Sequence, residues 1–226
     1  MRPRIFVIGD IHGCLSELVS LLNAIDFGPQ DRIVLLGDLI DRGAGSADVL
    51  THVIKLSREH QNTHIIMGNH EQMMLESRNS KERYSDWIAN GGDATLRSYG
   101  PGSTLATVPD SHWHFLQHQL VPYVETETHI LVHANAYGDL SMVEQPDYML
   151  RWEPCDQIAP HQSGKTIVCG HTPQKSGDPM NKGYAICIDT NACRGGWLTC
   201  LELNSGRICR AKGNRVEQAH ITDFAD

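Results

Sequence analysis

The sequence has no long apolar run and no apolar leader followed by a cleavage site. No stretch reaches the roughly 18 apolar residues that a membrane-spanning helix needs. The opening Met1–Arg4 leads directly into a short apolar segment, unlike a secretory signal peptide. We therefore expect a protein of the cytoplasm with no membrane partner.

An excess of positive charge and closely spaced cysteine pairs are also absent. The 19 Lys and Arg are outnumbered by 27 Asp and Glu, giving a net charge of −8 and no general attraction to nucleic acid. The 7 cysteines are odd in number and none forms a Cys-x-x-Cys pair. This pattern favours free thiols in a reducing compartment over disulfides or a zinc ribbon, and it predicts no nucleic-acid partner.

The first third of the chain alternates strand and helix patterns. Short apolar runs at residues 5–8, 33–36 and 65–67 each precede a segment with helical periodicity. Ser46 is the predicted N-cap of the second helix. This order predicts an α/β fold with parallel strands and crossover helices, and the 226 residues fit one domain spanning residues 1–226.

The rest of the chain predicts a helical insertion followed by a strand-rich half. Residues 79–120 are polar with helical pieces, anchored by Trp87 and Trp113. The segments 120–124 and 129–133 predict a hairpin, and the tail after Gly213 is expected to be loose. Further strands are predicted at residues 167–169, 185–188, 198–203 and 207–211.

Six side chains of the types that bind metals stand at or just after strand-like stretches. They comprise two carboxylates, three imidazoles and one carboxamide, within short motifs such as Gly-Asp-Ile-His-Gly at residues 9–13 and Gly-Asn-His-Glu at 68–71. They are Asp10, His12, Asp38, Asn69, His133 and His171.

This donor set suits divalent first-row metals better than calcium. Asp10 and His12 are two apart, so on an extended chain both side chains would point the same way. The carboxyl ends of strands in open α/β sheets are where ligands gather. Each motif alone has a turn, cap or hydrogen-bonded histidine as its ordinary explanation, but all of them in order predict a two-metal hydrolytic centre.

The motifs resemble those of the phosphoprotein phosphatase branch of the calcineurin-like metallophosphoesterase superfamily, and most closely the bacteriophage lambda type of protein phosphatase. The resemblance rests on Gly-Asn-His-Glu-Gln-Met-Met at residues 68–74, Asn-Gly-Gly at 90–92, Gly-His-Thr-Pro at 170–173 and Ile-Asp-Thr at 188–190. It implies a four-layer α/β/β/α sandwich of two mixed sheets with a helical insertion.

The resemblance also implies two metal sites that share one carboxylate. Asp10, His12 and Asp38 would hold one ion. The bridging Asp38 would hold the second ion together with Asn69, His133 and His171. Manganese is the predicted metal, with iron, zinc and nickel as alternatives.

Three further residues are predicted to act in catalysis. His70, next to Asn69, is the candidate general acid, and Asp41 would hold its ring. Arg42 is predicted to clamp a phosphate oxygen, where Asn69 would also contact the phosphate. The family places a second phosphate-binding Arg after a Trp. Here Arg151 precedes Trp152, so either this role or a structural one remains open for it.

Three functions fit these residues. The first is a phosphomonoesterase acting on phosphoproteins at Ser or Thr, with Tyr as a further possibility. The second is a symmetrical diadenosine tetraphosphate hydrolase, a subfamily that typically lacks the Asp41 equivalent and ends its third motif in Asp, where this chain has Glu71. The third, an inactive binding module, should have lost ligands. We expect the first, with a phosphoprotein or small phosphoester as partner, in a monomer or weak homo-oligomer.

Overall fold

The computed structural model describes residues 3–224. Its strands are β1 (Ile5–Ile8), β2 (Arg32–Leu35), β3 (Thr63–Ile66), β4 (Leu120–Val121), β5 (Tyr123–Glu125), β6 (His129–Val132), β7 (Thr166–Cys169), β8 (Met180–Asn181), β9 (Ala185–Cys187), β10 (Leu198–Glu202), β11 (Arg207–Lys212) and β12 (Arg215–His220). Its α-helices are α1 (Leu15–Ile25), α2 (Ser46–Glu59), α3 (Asn69–Glu76), α4 (Lys81–Trp87), α5 (Asp93–Ser98), α6 (Asp110–His118) and α7 (Asp147–Arg151).

The strands form two mixed sheets. The larger has the order β12-β11-β10-β1-β2-β3-β4, with β1 to β4 parallel to one another. The smaller has the order β5-β6-β7-β9-β8, with β6, β7 and β9 parallel. Five of these parallel strands, β1, β2, β3, β6 and β7, end in the loops that carry the predicted metal ligands.

Three buried clusters separate four layers. On β1, Phe6 and Ile8 face the helices, whereas Val7 faces the smaller sheet, as the alternation of side chains along a strand requires. Ile130 and Ile167 of the smaller sheet pack outward against short turns and Leu150 of α7. This arrangement confirms the expected α/β/β/α sandwich.

The insertion between β3 and β4 is helical, as predicted. It contains α4, a wide helical turn at Ile88–Gly92, α5 and α6. Trp87 and Trp113 are both buried in the core between the helices and the larger sheet, so the predicted anchors are confirmed.

Three local predictions were wrong: the N-cap of the second helix, the hairpin beginning at residue 120, and the loose tail. The N-cap of α2 is Gly45, while the Ser46 hydroxyl lies inside the helix and accepts the N–H of Asp41. The segment 120–124 divides between the sheets, since β4 pairs with β3 and only β5 forms a hairpin with β6.

The tail is not loose over residues 215–224. There β12 pairs with β11 along its whole length, because β11 offers a free edge, and Ile221–Phe224 forms a 3-10 turn. Residues 225 and 226 lie outside the described residues.

We predict that Asp31 contributes stability that is lost at acid pH. Its carboxylate accepts the Arg4 backbone N–H at 2.8 Å, Arg4 Nη2 at 2.7 Å and the Gly28 N–H at 2.8 Å, which ties β1 to the turn before β2. Burial opposes ionisation, but these hydrogen bonds prevail and lower the pKa of Asp31 to about 2. Because the folded pKa is depressed, the stabilisation is complete above about pH 4 and disappears toward pH 2.

Asp31→Asn should therefore lower the free energy of unfolding by about 1–3 kcal/mol at neutral pH. Denaturant unfolding of metal-free protein from pH 6 to pH 2.5 should show the gap between wild type and variant narrowing below about pH 4. A difference in unfolding free energy that does not change with pH would contradict this role of the Asp31 carboxylate.

Candidate metal centre and active site

The six predicted metal ligands converge where the two sheets end at a common edge. Asp10 and His12 follow β1, Asp38 follows β2, and Asn69 begins α3 after β3. His133 and His171 follow β6 and β7 of the smaller sheet. All are buried except His171, which is partly exposed.

Asp38 lies at the middle of this group. Its Oδ2 is 3.4 Å from His12 Nε2, and its Oδ1 is 3.4 Å from His133 Nε2. Asn69 Oδ1 is 3.0 Å from His133 Nε2 and 3.1 Å from His171 Nδ1. Asp10 joins the group through its carboxylate, which accepts the backbone N–H of His171 at 3.1 Å.

Each of the three imidazoles uses one nitrogen to donate to a backbone carbonyl. His12 Nδ1 donates to Ile40 O at 2.7 Å, and His133 Nδ1 donates to Leu36 O at 2.9 Å. His171 Nε2 donates to Trp152 O at 3.0 Å. This second interaction fixes the ring and leaves the other nitrogen as an acceptor directed into the site, as in metal-binding histidines.

The acceptor atoms then face one another without a proton between them. With the rings in these tautomers, Asn69 Oδ1 meets two imidazole lone pairs, and His133 Nε2 also faces Asp38 Oδ1. Such a cluster is unfavourable unless a cation lies among its members. Burial lowers the pKa of His12 to about 3 and that of His133 to about 4, which keeps both rings in the neutral form that binds metal. The residues therefore fit divalent metal ions.

The backbone of the site is strained in the way that functional sites often are. His12, Asp38 and His171 all have positive φ, at 44°, 48° and 63°. Such conformations cost about 1–3 kcal/mol each in residues other than glycine. The expected extended geometry for Asp10 and His12 was wrong, because His12 is in the left-handed region of a loop rather than in a strand.

Two glycines are required by the close approach of carboxylates. A Cβ on Gly68 would overlap Asp38 Oδ1, and one on Gly170 would overlap Asp10 Oδ1. Both positions belong to the motifs seen in the sequence, and their glycines let the carboxylates pass against the backbone.

Glu71 holds the loop that carries Asp38, a role that the sequence alone did not reveal. Its carboxylate accepts the backbone N–H groups of Asp38 at 2.9 Å, Leu39 at 2.7 Å and Gly68 at 3.0 Å. Glu71 is fully buried at the third position of α3. From there its carboxylate caps the start of α3 and also holds the loop after β2 in place.

His70 and Asp41 form a buried pair beside the predicted metal ligands. Asp41 Oδ2 is 2.7 Å from His70 Nδ1 and also accepts Trp87 Nε1 at 2.9 Å. Thr95 Oγ1 donates to Asp41 Oδ1 at 2.6 Å. The insertion thus supplies two donors that hold the Asp41 carboxylate in place.

The other ring nitrogen of His70 is buried and has no hydrogen-bond partner. It lies 3.9 Å from Asp38 Oδ2. Burial disfavours the charged ring, but the charge of Asp38 and the hydrogen bond to Asp41 prevail and raise the pKa of His70. An unpaired buried N–H beside the cluster is a donor available to a bound ligand.

The two predicted arginines differ in placement. Arg42 is exposed, with a φ of 66°, and its Nη1 donates to His12 Nε2 at 2.8 Å. Arg151 pairs instead with Asp147 at 3.1 Å, and its Nε is buried without a partner. Among the described residues, the Arg151 guanidinium has no hydrogen bond or ion pair with a predicted metal ligand, although the neighbouring Trp152 carbonyl binds His171.

Comparisons with known proteins agree with this geometry. The sequence profile of the calcineurin-like phosphoesterase family matches residues 3–191. The chain belongs to this family. It is 33% identical over 218 residues to serine/threonine-protein phosphatase 1 of Salmonella typhimurium, covering 86% of this chain and 89% of that protein. The predicted phosphoprotein phosphatase branch is thereby confirmed, and the chain is a metal-dependent phosphatase.

A second relative matches over a shorter region. The symmetrical bis(5'-nucleosyl)-tetraphosphatase of Enterobacter sp. is 45% identical over 71 residues, which are 31% of this chain and 24% of that protein. The crystal structure of a candidate diadenosine tetraphosphatase has a TM-score of 0.68 at 20% identity, covering 97% of this chain and 94% of that one. The structural likeness shows the shared metallophosphatase fold. Over the described residues, the helices are too short or too polar to cross a membrane.

We predict that His70→Asn lowers kcat by roughly 10²–10⁴-fold, the range for loss of a general acid or base. Metal content should stay intact, because His70 is not among the six predicted ligands. His112→Asn is the matched control. His112 is also buried, but its Nδ1 lies 2.8 Å from the Tyr99 hydroxyl rather than beside the predicted metal ligands. Steady-state kinetics with an aryl phosphate and metal analysis test both variants. Unchanged turnover in His70→Asn would remove His70 from the acid role.

We also predict that Glu71→Gln weakens metal binding. The amide can present only one oxygen to the three N–H groups, so the variant should lose about 1–3 kcal/mol of stability and release metal more readily. Unfolding and metal analysis after dialysis measure both effects. Glu76→Gln, at the end of the same helix, is the control. Equal metal retention by the two variants would show that Glu71 does not position Asp38.

Proposed function

We propose that this phosphatase is a phosphomonoesterase with two divalent metals, manganese in the first instance, and that it acts on phosphoserine and phosphothreonine in proteins. The observation that carries the proposal is the intact Asp41–His70 pair, whose free ring nitrogen lies beside the Asp38 cluster. A phosphomonoester needs such a proton donor when its leaving group is an alkoxide.

The six converging side chains are proposed to hold the metals. Asp10, His12 and Asp38 would bind one ion, and Asp38 would share the other with Asn69, His133 and His171. When bound, two such ions lower the pKa of a shared water and offset the charge of the phosphate.

The remaining residues have separate tasks in the proposed reaction. The His70 ring, held by Asp41, donates its proton to the leaving oxygen. Arg42, an exposed guanidinium beside His12, donates two parallel N–H groups to phosphate oxygens. Asn69 would present its amide to the phosphate as well as to a metal. Arg151, with a buried and partnerless Nε, is a weaker candidate for the second phosphate contact.

A pocket that shares Trp152 with the site, since the Trp152 carbonyl accepts from His171, supports a peptide substrate. It has a volume of about 240 Å³ and is lined by Met73, Glu76, Arg83, Asp86, Asn90 and Trp152. Arg83 pairs with Glu76 at 3.4 Å, and Asp86 has no ion pair among residues 3–224. This charge favours a neutral or basic peptide segment over a chain of four phosphates.

The alternative is symmetrical hydrolysis of diadenosine tetraphosphate, favoured by the 71-residue match to a bis(5'-nucleosyl)-tetraphosphatase. The 7 cysteines, all free thiols, are compatible with a cytoplasmic location for either reaction. A monomer or weak homo-oligomer remains our prediction for the assembly.

A side-by-side assay of manganese-loaded protein decides between the substrates. We expect kcat/KM for a phosphoserine peptide to exceed that for diadenosine tetraphosphate by at least about tenfold, a difference of about 1.4 kcal/mol in transition-state binding. A phosphotyrosine peptide and a phosphodiester complete the set. Preference for the dinucleotide would replace the proposal with the alternative.

Metal removal is the control for the same assay. Chelation should abolish hydrolysis of every substrate, and added manganese should restore it. Full activity of the metal-free protein would exclude the two-metal reaction.

A further inference from the structure

Three cysteines meet behind the loop that carries His171. Cys155, Cys169 and Cys187 are fully buried, and their sulfur atoms all lie within 4.8 Å of one another. Cys169 and Cys187 are opposite each other at the ends of the parallel strands β7 and β9. Cys155 begins the 3-10 turn Cys155–Gln157, which packs on the outer face of the same sheet.

The thiols contact the backbone of the His171 loop. Cys187 Sγ is 3.4 Å from the carbonyl oxygens of Gly170 and Thr172. The backbone N–H of Cys155 donates to Thr172 Oγ1 at 2.9 Å. The cluster therefore connects three chain segments at the point where they position His171, and it is separate from the atoms of the dinuclear centre.

The remaining cysteines do not form such a group. Cys200 and Cys209 oppose each other in the larger sheet, while Cys14 and Cys193 are only partly buried. Apolar packing alone would be served by alanine or valine, and it gives no reason for three sulfur atoms to converge at one point.

The geometry matches a three-sulfur coordination site. Metal–sulfur bonds of about 2.3 Å place three sulfur atoms about 4 Å apart around a central ion, inside the separation seen here. Soft thiol ligands select copper(I) or zinc over manganese or magnesium. Among the described residues, no His, Asp or Glu completes the group, whereas structural zinc normally takes four protein ligands.

We propose that Cys155, Cys169 and Cys187 form a binding site for a monovalent thiophilic cation of the copper(I) class, distinct from the dinuclear centre. A bound ion would fasten β7, β9 and the turn at residue 155 together behind the His171 loop.

The test is copper(I) binding to the manganese-loaded protein without oxygen. Copper(I) is supplied from a competing chelator, both to the folded protein and during refolding from denaturant, so that burial of the site cannot prevent loading. Wild type should retain one more equivalent than Cys155→Ala and show sulfur-to-copper absorption that this variant lacks. Cys209→Ala, which loses a buried thiol elsewhere, should behave as wild type.

Two measurements do not depend on how the variants fold. X-ray absorption on the loaded wild type should show three sulfur neighbours and no more. With the competing chelator withholding copper(I) from the separate thiols of the unfolded chain, its Tm should rise on loading, as expected for a ligand that binds the folded state more tightly.

Several outcomes would overturn the proposal. These are failure of wild type to retain copper(I) by either route, equal copper in wild type and Cys155→Ala, or displacement of copper(I) by zinc at the same sulfurs. None of them bears on phosphatase activity, so the proposed function is judged separately.

Discussion

The carboxylate and backbone of Asp38 are the point on which the site depends. Its carbonyl oxygen accepts the N–H groups of Ile11 and His12, at 3.1 and 2.8 Å, which fixes the loop after β1. Its Oδ1 accepts the N–H of His70 at the start of α3. Burial disfavours its charge, but nearby imidazoles, His133 first, prevail and lower the pKa of Asp38. One residue in a left-handed conformation therefore unites three loops and supplies the negative charge that draws cations.

The candidate metal centre needs side chains from both sheets. Asp10 from the first strand accepts the N–H of His171, which follows β7 in the smaller sheet. The Gly170 N–H donates to the His133 carbonyl at 2.8 Å. This hydrogen bond joins the two loops of the smaller sheet that carry His133 and His171. Candidate ligands from both halves of the chain come together here, and bound cations would offset the cost of bringing their acceptor atoms together.

The insertion contributes to the chemistry and not only to the core. Trp87 and Thr95 donate to the carboxylate of Asp41, which orients the His70 ring. The Arg42 N–H donates to the Gly91 carbonyl at 3.1 Å. Gly91 has a φ of 109°, and a Cβ there would overlap Arg42, so this turn requires glycine. The proposed proton donor and phosphate ligand thus depend on the helices of the insertion, whereas the candidate metal ligands depend on the sheets.

The sequence by itself determined the layered α/β fold and indicated the candidate metal ligands, because each candidate follows an apolar strand whose end is visible in the local pattern. Only the tertiary structure decided the features that depend on distant partners. Ser46 faces Asp41 instead of capping its helix, residues 120–125 divide between two sheets, and β12 forms because β11 has a free edge. The same holds for the three thiols behind His171, which are far apart in sequence and meet only through strand pairing and burial. Local periodicity records which face of a segment is apolar, but not which other segment it will contact.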